Sequence, residues 1–189
     1  MLTTHTKVVG RAARESQLTA ENLLNDYVRK GQLKSRNRVW LVHRLDRETS
    51  GVMMFAKSET VAEYFRSNWN ELTEKIYVAK VVGQMESEAG VFESYLKEDD
   101  DGYRVRSSKT GRFARTEWKK REDGLVEISL KSGRKNQIRV HFSEAGHPVL
   151  GDVKYGGPKS DRLYLHALRL RFRHPYSGRW LEFESPCQF

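Results

Sequence analysis

The segment His43-Arg-Leu-Asp-Arg-Glu-Thr-Ser-Gly51 sets a carboxylate, Asp46, between the guanidinium residues Arg44 and Arg47. Cations that near can hold a carboxylate ionised even where water is partly excluded. An ionised carboxylate so placed can act as a nucleophile or as a base. Taken alone, the same residues also fit a turn carrying a surface ion pair. Four further segments follow in order. Lys75-Ile-Tyr-Val-Ala79 sets Tyr77 in a strand-like run. Leu130-Lys-Ser-Gly-Arg-Lys-Asn-Gln-Ile-Arg-Val-His141 supplies a glycine turn, a cluster of cations and Gln137. Gly146-His-Pro-Val-Leu-Gly-Asp-Val-Lys-Tyr-Gly156 comes next, and Leu165-His-Ala167 last. His166 reads equally as a satisfied strand histidine or as a ligand contact.

The elements that must position these residues follow from hydrophobic period and turn chemistry. Leu18, Leu23, Leu24, Tyr27 and Val28 fit an amphipathic helix over 15–30, with Thr19 as its N-cap and Gly31 as its stop. Val39–Val42 and Val52–Ala56 are short apolar runs flanking the polar loop 43–51, which predicts strand, loop, strand. Glu59–Trp69 predicts a helix whose inward stripe is Val61, Tyr64, Phe65 and Trp69, followed by a strand over 75–82. From 90 to 130, β-type runs alternate with turns, and the acidic run Glu98–Asp101 fits a solvated hairpin tip. Residues 133–146 predict a short helix after a glycine turn, and 163–172 with 180–183 a closing hairpin. The fold class expected is α+β: a mostly antiparallel sheet, bent or in two parts, with helices packed on one side and a central basic cleft holding Asp46. The 189 residues fit a single domain spanning 1–189.

Thirty-four Lys and Arg against 25 Asp and Glu leave a formal net charge of +9, so the field of the protein attracts polyanions, RNA or DNA first. A lone cysteine, Cys187, rules out an internal disulfide or a thiolate metal cluster, which predicts an intracellular chain. The six histidines lack metal-ligand spacing, so no metal is expected. No apolar run approaches the ~18 residues of a membrane span, and no signal-peptide h-region opens the chain. A soluble, cytoplasmic monomer is expected.

Together the blocks resemble the RluA-type family of RNA pseudouridine synthases, which act on ribosomal or transfer RNA, over residues 39 to 183. The resemblance implies that Asp46 is the catalytic carboxylate, Tyr77 the aromatic that stacks on the target base, and Arg139 the cation paired with the aspartate. It makes Ile138 the apolar neighbour in the pocket and Arg44 the side chain that enters the RNA where the base has left. His43 and Arg134 join the substrate-binding set, and Lys135 is placed to reach phosphate. A uridine within a stem is out of reach of a carboxylate and must first be extruded. No cofactor is expected, because an internal rearrangement needs no redox partner or group carrier. Two departures from the family pattern stand out. No Lys-Pro-x-Gly turn precedes Leu2-Thr-Thr-His-Thr-Lys-Val8, so the chain is expected to lack the usual first strand, and Asn136 stands where histidine is frequent, a change expected to be tolerated. The competing reading is a catalytically inactive RNA-binding module that keeps the fold. A hydrolase reading lacks paired carboxylates, a phosphate loop or a metal cluster.

Overall fold

A computed structural model describes residues 18–32 and 34–189. The expectation for Leu2–Val8, and positions 15–17 of the expected first helix, lie outside the described residues. That helix, α1, spans Ala20–Arg29; the Thr19 hydroxyl caps it by accepting from the Asn22 backbone N–H, as its position predicts. Its apolar residues Leu23 and Tyr27 are exposed while Leu24 and Val28 are partly covered, so the predicted amphipathic face is only half covered among the described residues.

Three short strands follow: β1 (Trp40–Leu41), β2 (Ser50–Gly51) and β3 (Phe55–Ala56). β1 and β3 pair antiparallel in a small sheet of their own. Then come helix α2 (Glu59–Leu72) and strands β4 (Thr73–Ala79), β5 (Ala89–Glu98), β6 (Val105–Ser107), β7 (Arg112–Lys120) and β8 (Val126–Leu130). Helix α3 (Gln137–Glu144), a 3-10 turn (Val153–Tyr155) and the hairpin β9 (Leu165–Arg173) and β10 (Trp180–Glu184) complete the chain. The large sheet runs β10-β9-β4-β8-β7-β5-β6, antiparallel at every step, with β2 added parallel to β9. The expected α+β class with a mostly antiparallel, two-part sheet is what forms.

Strand period places helices α2 and α3 on one face. Thr73, Lys75, Tyr77 and Ala79 alternate along β4. Their cross-strand partners include Phe172 opposite Thr73 and Ile128 opposite Tyr77. Phe172 carries α2 through an edge contact with Phe65, while Ile128 shares a core cluster with Ile138 and Phe142 of α3. Within α2 the buried positions are Ala62, Phe65 and Leu72. Tyr64, predicted on the inward stripe, is 41% exposed: the small Ala62 sits against the sheet instead, and the helix bends at Asn68.

α3 is buried on all sides rather than along one stripe, with every residue from Gln137 to Phe142 inaccessible. Its polar side chains are therefore satisfied internally. Gln137 accepts from the Ser132 hydroxyl and the Arg134 N–H, and donates to the Arg115 carbonyl and Thr116 hydroxyl at 2.8–3.0 Å. Imidazole nitrogens of His141 meet Thr116 at 2.8 Å and Ser94 at 3.0 Å.

The loop between β1 and β2 is pinned at its far end by Gly51. A Cβ there would lie 2.2 Å from the Ala167 carbonyl oxygen, and its φ of +120° disfavours any side chain. Gly51→Ala should therefore separate β2 from β9 and destabilise the protein by about 2–4 kcal/mol. Urea unfolding measures this; a midpoint equal to wild type would show that the pairing is not needed.

Candidate active site

Loop 43–51 is held in shape by its own side chains. The Thr49 N–H donates to the Asp46 carbonyl at 3.0 Å, closing a turn that turns the Asp46 side chain away from it. His43 Nε2 accepts from the Met54 N–H at 3.0 Å, and its ring stacks on Trp69 with centroids 4.6 Å apart. Burial, reinforced by the nearby Lys75 cation, lowers the His43 pKa to about 4 and keeps it neutral. His166 Nε2 meets the Ser185 carbonyl at 3.0 Å and so must donate; its Nδ1 accepts from the Ser50 hydroxyl at 2.8 Å. His166 is thus a satisfied strand histidine that anchors the loop end.

The loop, strand β4 and the Gly133–Ile138 turn enclose a pocket of about 380 Å³, within the size range of small-molecule sites. His43, Arg44, Asp46, Tyr77, Arg134 and Ile138 all line it, so the structure gathers six of the seven sequence-derived residues into one wall. The seventh, Arg139, lies behind Asp46 at 4% exposure. Asp46 is largely enclosed, and burial raises its pKa against the opposing pull of Arg139, Arg44, Lys154 and the Asn136 backbone N–H. Tyr77 shows the same pressures: burial first, then the Asp46 charge, push its hydroxyl upward and keep it protonated. Arg44 is exposed at the rim. Arg134 is half-buried, one edge fixed where Nε donates to the Phe113 carbonyl at 3.0 Å. Lys135 binds Glu98 at 2.5 Å and the Gly102 carbonyl at 2.6 Å, which ties it to the hairpin tip.

The closest partner of Arg139 is not Asp46. Its Nε and one terminal nitrogen donate to the two oxygens of Asp152, each at 2.7 Å, with Asp152 fully buried. Asp46 Oδ2 stands 4.0 Å from the other terminal nitrogen, while Glu48 lies 3.4 Å from the nitrogen that Asp152 holds. Asp152 thus orients the guanidinium, which in turn faces Asp46. Gly151 makes the placement possible, since a Cβ there would sit 1.8 Å from the Arg162 carbonyl oxygen.

Asn136, the departure from the frequent histidine, stands in direct contact with Asp46. Buried at 6% exposure and in the left-handed region at φ 52°, it sits at the N-terminal end of α3 without a side-chain bond to the helix backbone. The amide orientation that satisfies both ends donates to Asp46 Oδ2 at 2.8 Å and Oδ1 at 3.3 Å, and accepts from the Tyr155 hydroxyl at 3.0 Å and Lys154 Nζ at 3.1 Å. Asn136, Asp152, Lys154 and Tyr155 are the site residues that sequence reasoning left without a role. The signal for three of them was the block Gly146–Gly156, directly behind the Arg139 block. Among the described residues, no group of His, Cys, Asp or Glu is arranged to hold a metal ion, and no helix is long and apolar enough to cross a membrane.

Residues 3–144 match the family pattern of RNA pseudouridylate synthase, three quarters of the chain. The chain belongs to the RNA pseudouridylate synthase family. Among similar proteins, ribosomal large subunit pseudouridine synthase C of Vibrio parahaemolyticus is 34% identical over 162 residues, covering 78% of this chain and 51% of that protein. The enzyme of the same name from Pasteurella multocida is 38% identical over 163 residues, 77% of this chain and 50% of its own. An uncharacterized RNA pseudouridine synthase of Aquifex aeolicus is 36% identical over 163 residues, at 76% and 52% coverage. The chain spans about half the length of these curated relatives. Two human structures share the architecture. RNA pseudouridylate synthase domain containing 4 has a TM-score of 0.76 at 25% identity, covering 91% of this chain and 80% of its own. RNA pseudouridylate synthase domain containing 1 has a TM-score of 0.72 at 23% identity, covering 97% and 78%, and bears on the fold alone.

The Arg139–Asp152 pair yields a stability test. Asp152→Leu strands a buried guanidinium and should cost about 3–5 kcal/mol, whereas Arg139→Met with Asp152→Leu should recover most of that loss. Thermal unfolding of the single and double variants checks it; a double variant as unstable as the single would show that Arg139 is held chiefly by other partners.

Proposed function

We propose that this chain isomerises uridine to pseudouridine within structured RNA, ribosomal RNA first, and that Asp46 is its catalytic carboxylate. The observation that carries the reading is the half-buried carboxylate of Asp46 facing a nucleoside-sized pocket whose wall contains Tyr77, in a chain of the pseudouridylate synthase family. Ribosomal RNA is placed first because several relatives bear the name of a ribosomal large subunit enzyme.

In this reading the target uridine leaves its stack, at a cost of a few kcal/mol, and enters the pocket. Arg44, exposed at the rim, fills the space that the base vacates and meets phosphate. Ile138 offers apolar contact, and Tyr77 stacks on the uracil with its hydroxyl protonated. The His43 ring forms a wall, since its acceptor nitrogen and one face are already engaged by Met54 and Trp69. Asp46 either attacks the sugar as the glycosidic C–N bond breaks, or abstracts a sugar proton that lets that bond break. Uracil then turns and bonds the sugar through carbon as the bond to Asp46 breaks or the abstracted proton returns, and the proton of that ring carbon passes to the ring nitrogen. Atoms and electrons balance without a redox partner or group carrier. Arg139 and the Asn136 amide hold the carboxylate charged and aimed during these steps.

Asp46→Asn keeps the shape of the side chain and removes its basicity. Incubated with ribosomal RNA lacking modification, the wild-type chain should form pseudouridine at a defined position, and Asp46→Asn none, with RNA affinity within severalfold. Pseudouridine mapping and a binding titration read both quantities. Turnover by Asp46→Asn would overturn the assignment of the carboxylate.

A further inference from the structure

Beside the Asp46 pocket, between the last turn of α2 and the Gly133 turn, a second groove of about 360 Å³ opens, lined by Arg66, Arg112 and Arg134 with Trp69 and Asn70. It joins the first pocket through the shared residues Arg66, Trp69 and Arg134. Lys75 stands in the wall of the first pocket beside this junction. Its ammonium donates to Asn70 Oδ1 at 2.8 Å and lies 6.0 Å from the Trp69 ring centroid.

Lys75 is 6% exposed and has no carboxylate partner among the described residues. A buried ammonium offers three donors, and here one is taken by a neutral amide. Burial first and the neighbouring Lys131 cation second lower its pKa to about 8. Arg134 is likewise disfavoured, by burial and then by Arg112. Lys75, Arg112 and Arg134 thus gather at one junction with no carboxylate partner among the described residues, although Glu63 pairs with Arg66, Glu117 with Lys131, and Glu71 lines the same groove. An arrangement that costs stability and points into a cleft fits a group kept for a ligand. The ligand that neutralises it is an anion presenting several acceptor oxygens on a chain that continues past the pocket.

We propose that Lys75, with Arg134 and Arg112, forms a phosphate subsite that binds the phosphodiester adjoining the nucleotide in the Asp46 pocket. The inference rests on the reading of that pocket as a uridine site in RNA. Lys75 supplies the charge closest to the base, and the groove leads the strand away over Arg134 and Arg112.

The test is binding of a short fluorescent oligouridylate over a series of salt concentrations to wild type, Lys75→Met and Arg106→Gln. Arg106 pairs with Asp99 at 2.7 Å outside the groove and serves as the control for net charge. Lys75→Met should bind about tenfold more weakly. Its slope of log affinity against log salt should be shallower by about 0.7, the value for one phosphate on a single strand. Arg106→Gln should match wild type in both. Lys75→Met should also melt higher than wild type. A lysine whose pKa is lowered in the folded state opposes folding wherever it is charged, so the gain is full below about pH 8 and vanishes as pH rises towards 10.5. Should Lys75→Met melt lower, Lys75→Gln carries the same binding measurement with a shorter neutral side chain. Unchanged affinity and slope in the Lys75 variant, or an equal loss in Arg106→Gln, would overturn the subsite. Absence of salt-dependent binding by wild type would instead overturn the RNA reading itself, and the subsite with it.

Discussion

Arg139 is a cation inside a helix that water does not reach, and the two-point bond from Asp152 is what makes its burial tenable. An unpaired guanidinium there would cost several kcal/mol. With Asp152 in place, the charge becomes a fixed feature behind Asp46, and the other site groups are arranged around it. Gly151 lets the chain pass close enough to bring Asp152 in. Gln137 and His141, on either side in the same helix, have their polar atoms taken up by β5, β7 and the Ser132 turn. Loop 43–51 then closes over the far side and sets Asp46 within 4.0 Å of the guanidinium.

Opposed forces meet at Asp46. Burial disfavours its charge more strongly than Arg139, Arg44 and Lys154 favour it. The result is a carboxylate more basic than an exposed one yet surrounded by cations, which suits the proposed action on a nearly neutral nucleoside. Lys75 shows the complementary imbalance, a cation depressed by burial on the same strand as Tyr77. Both residues cost stability, as groups in functional clefts commonly do.

Much of this was legible in the sequence because it was local. The order of blocks around Asp46, Tyr77 and Arg139 marked the site, strand period marked the antiparallel run from β5 to β8, and Thr19 announced its own cap. What escaped was set by tertiary contact. Arg139 and Asp152 are 13 residues apart with a turn between, so no helical or strand spacing links them. Asn136 reads in the sequence only as a tolerated departure from histidine, because its partner, Asp46, comes from a loop far earlier in the chain. The parallel pairing of β2 with β9 joins residues more than a hundred positions apart, and only the tight fit of Gly51 against Ala167 explains it. Tyr64 followed the period of its helix but lost its inward place to Ala62, which the sheet accommodates more closely.

The central claim is that Asp46 works as a half-buried carboxylate on which burial and the surrounding cations pull in opposite directions. The most direct measurement is the pH dependence of single-turnover pseudouridine formation by wild type and Lys154→Met. The account predicts an acid limb in wild type above the ordinary aspartate value of 3.8, because burial raises the pKa, and a limb at still higher pH in Lys154→Met, because one opposing cation is gone. A wild-type limb at or below that value, or an identical limb in the two proteins, would contradict it.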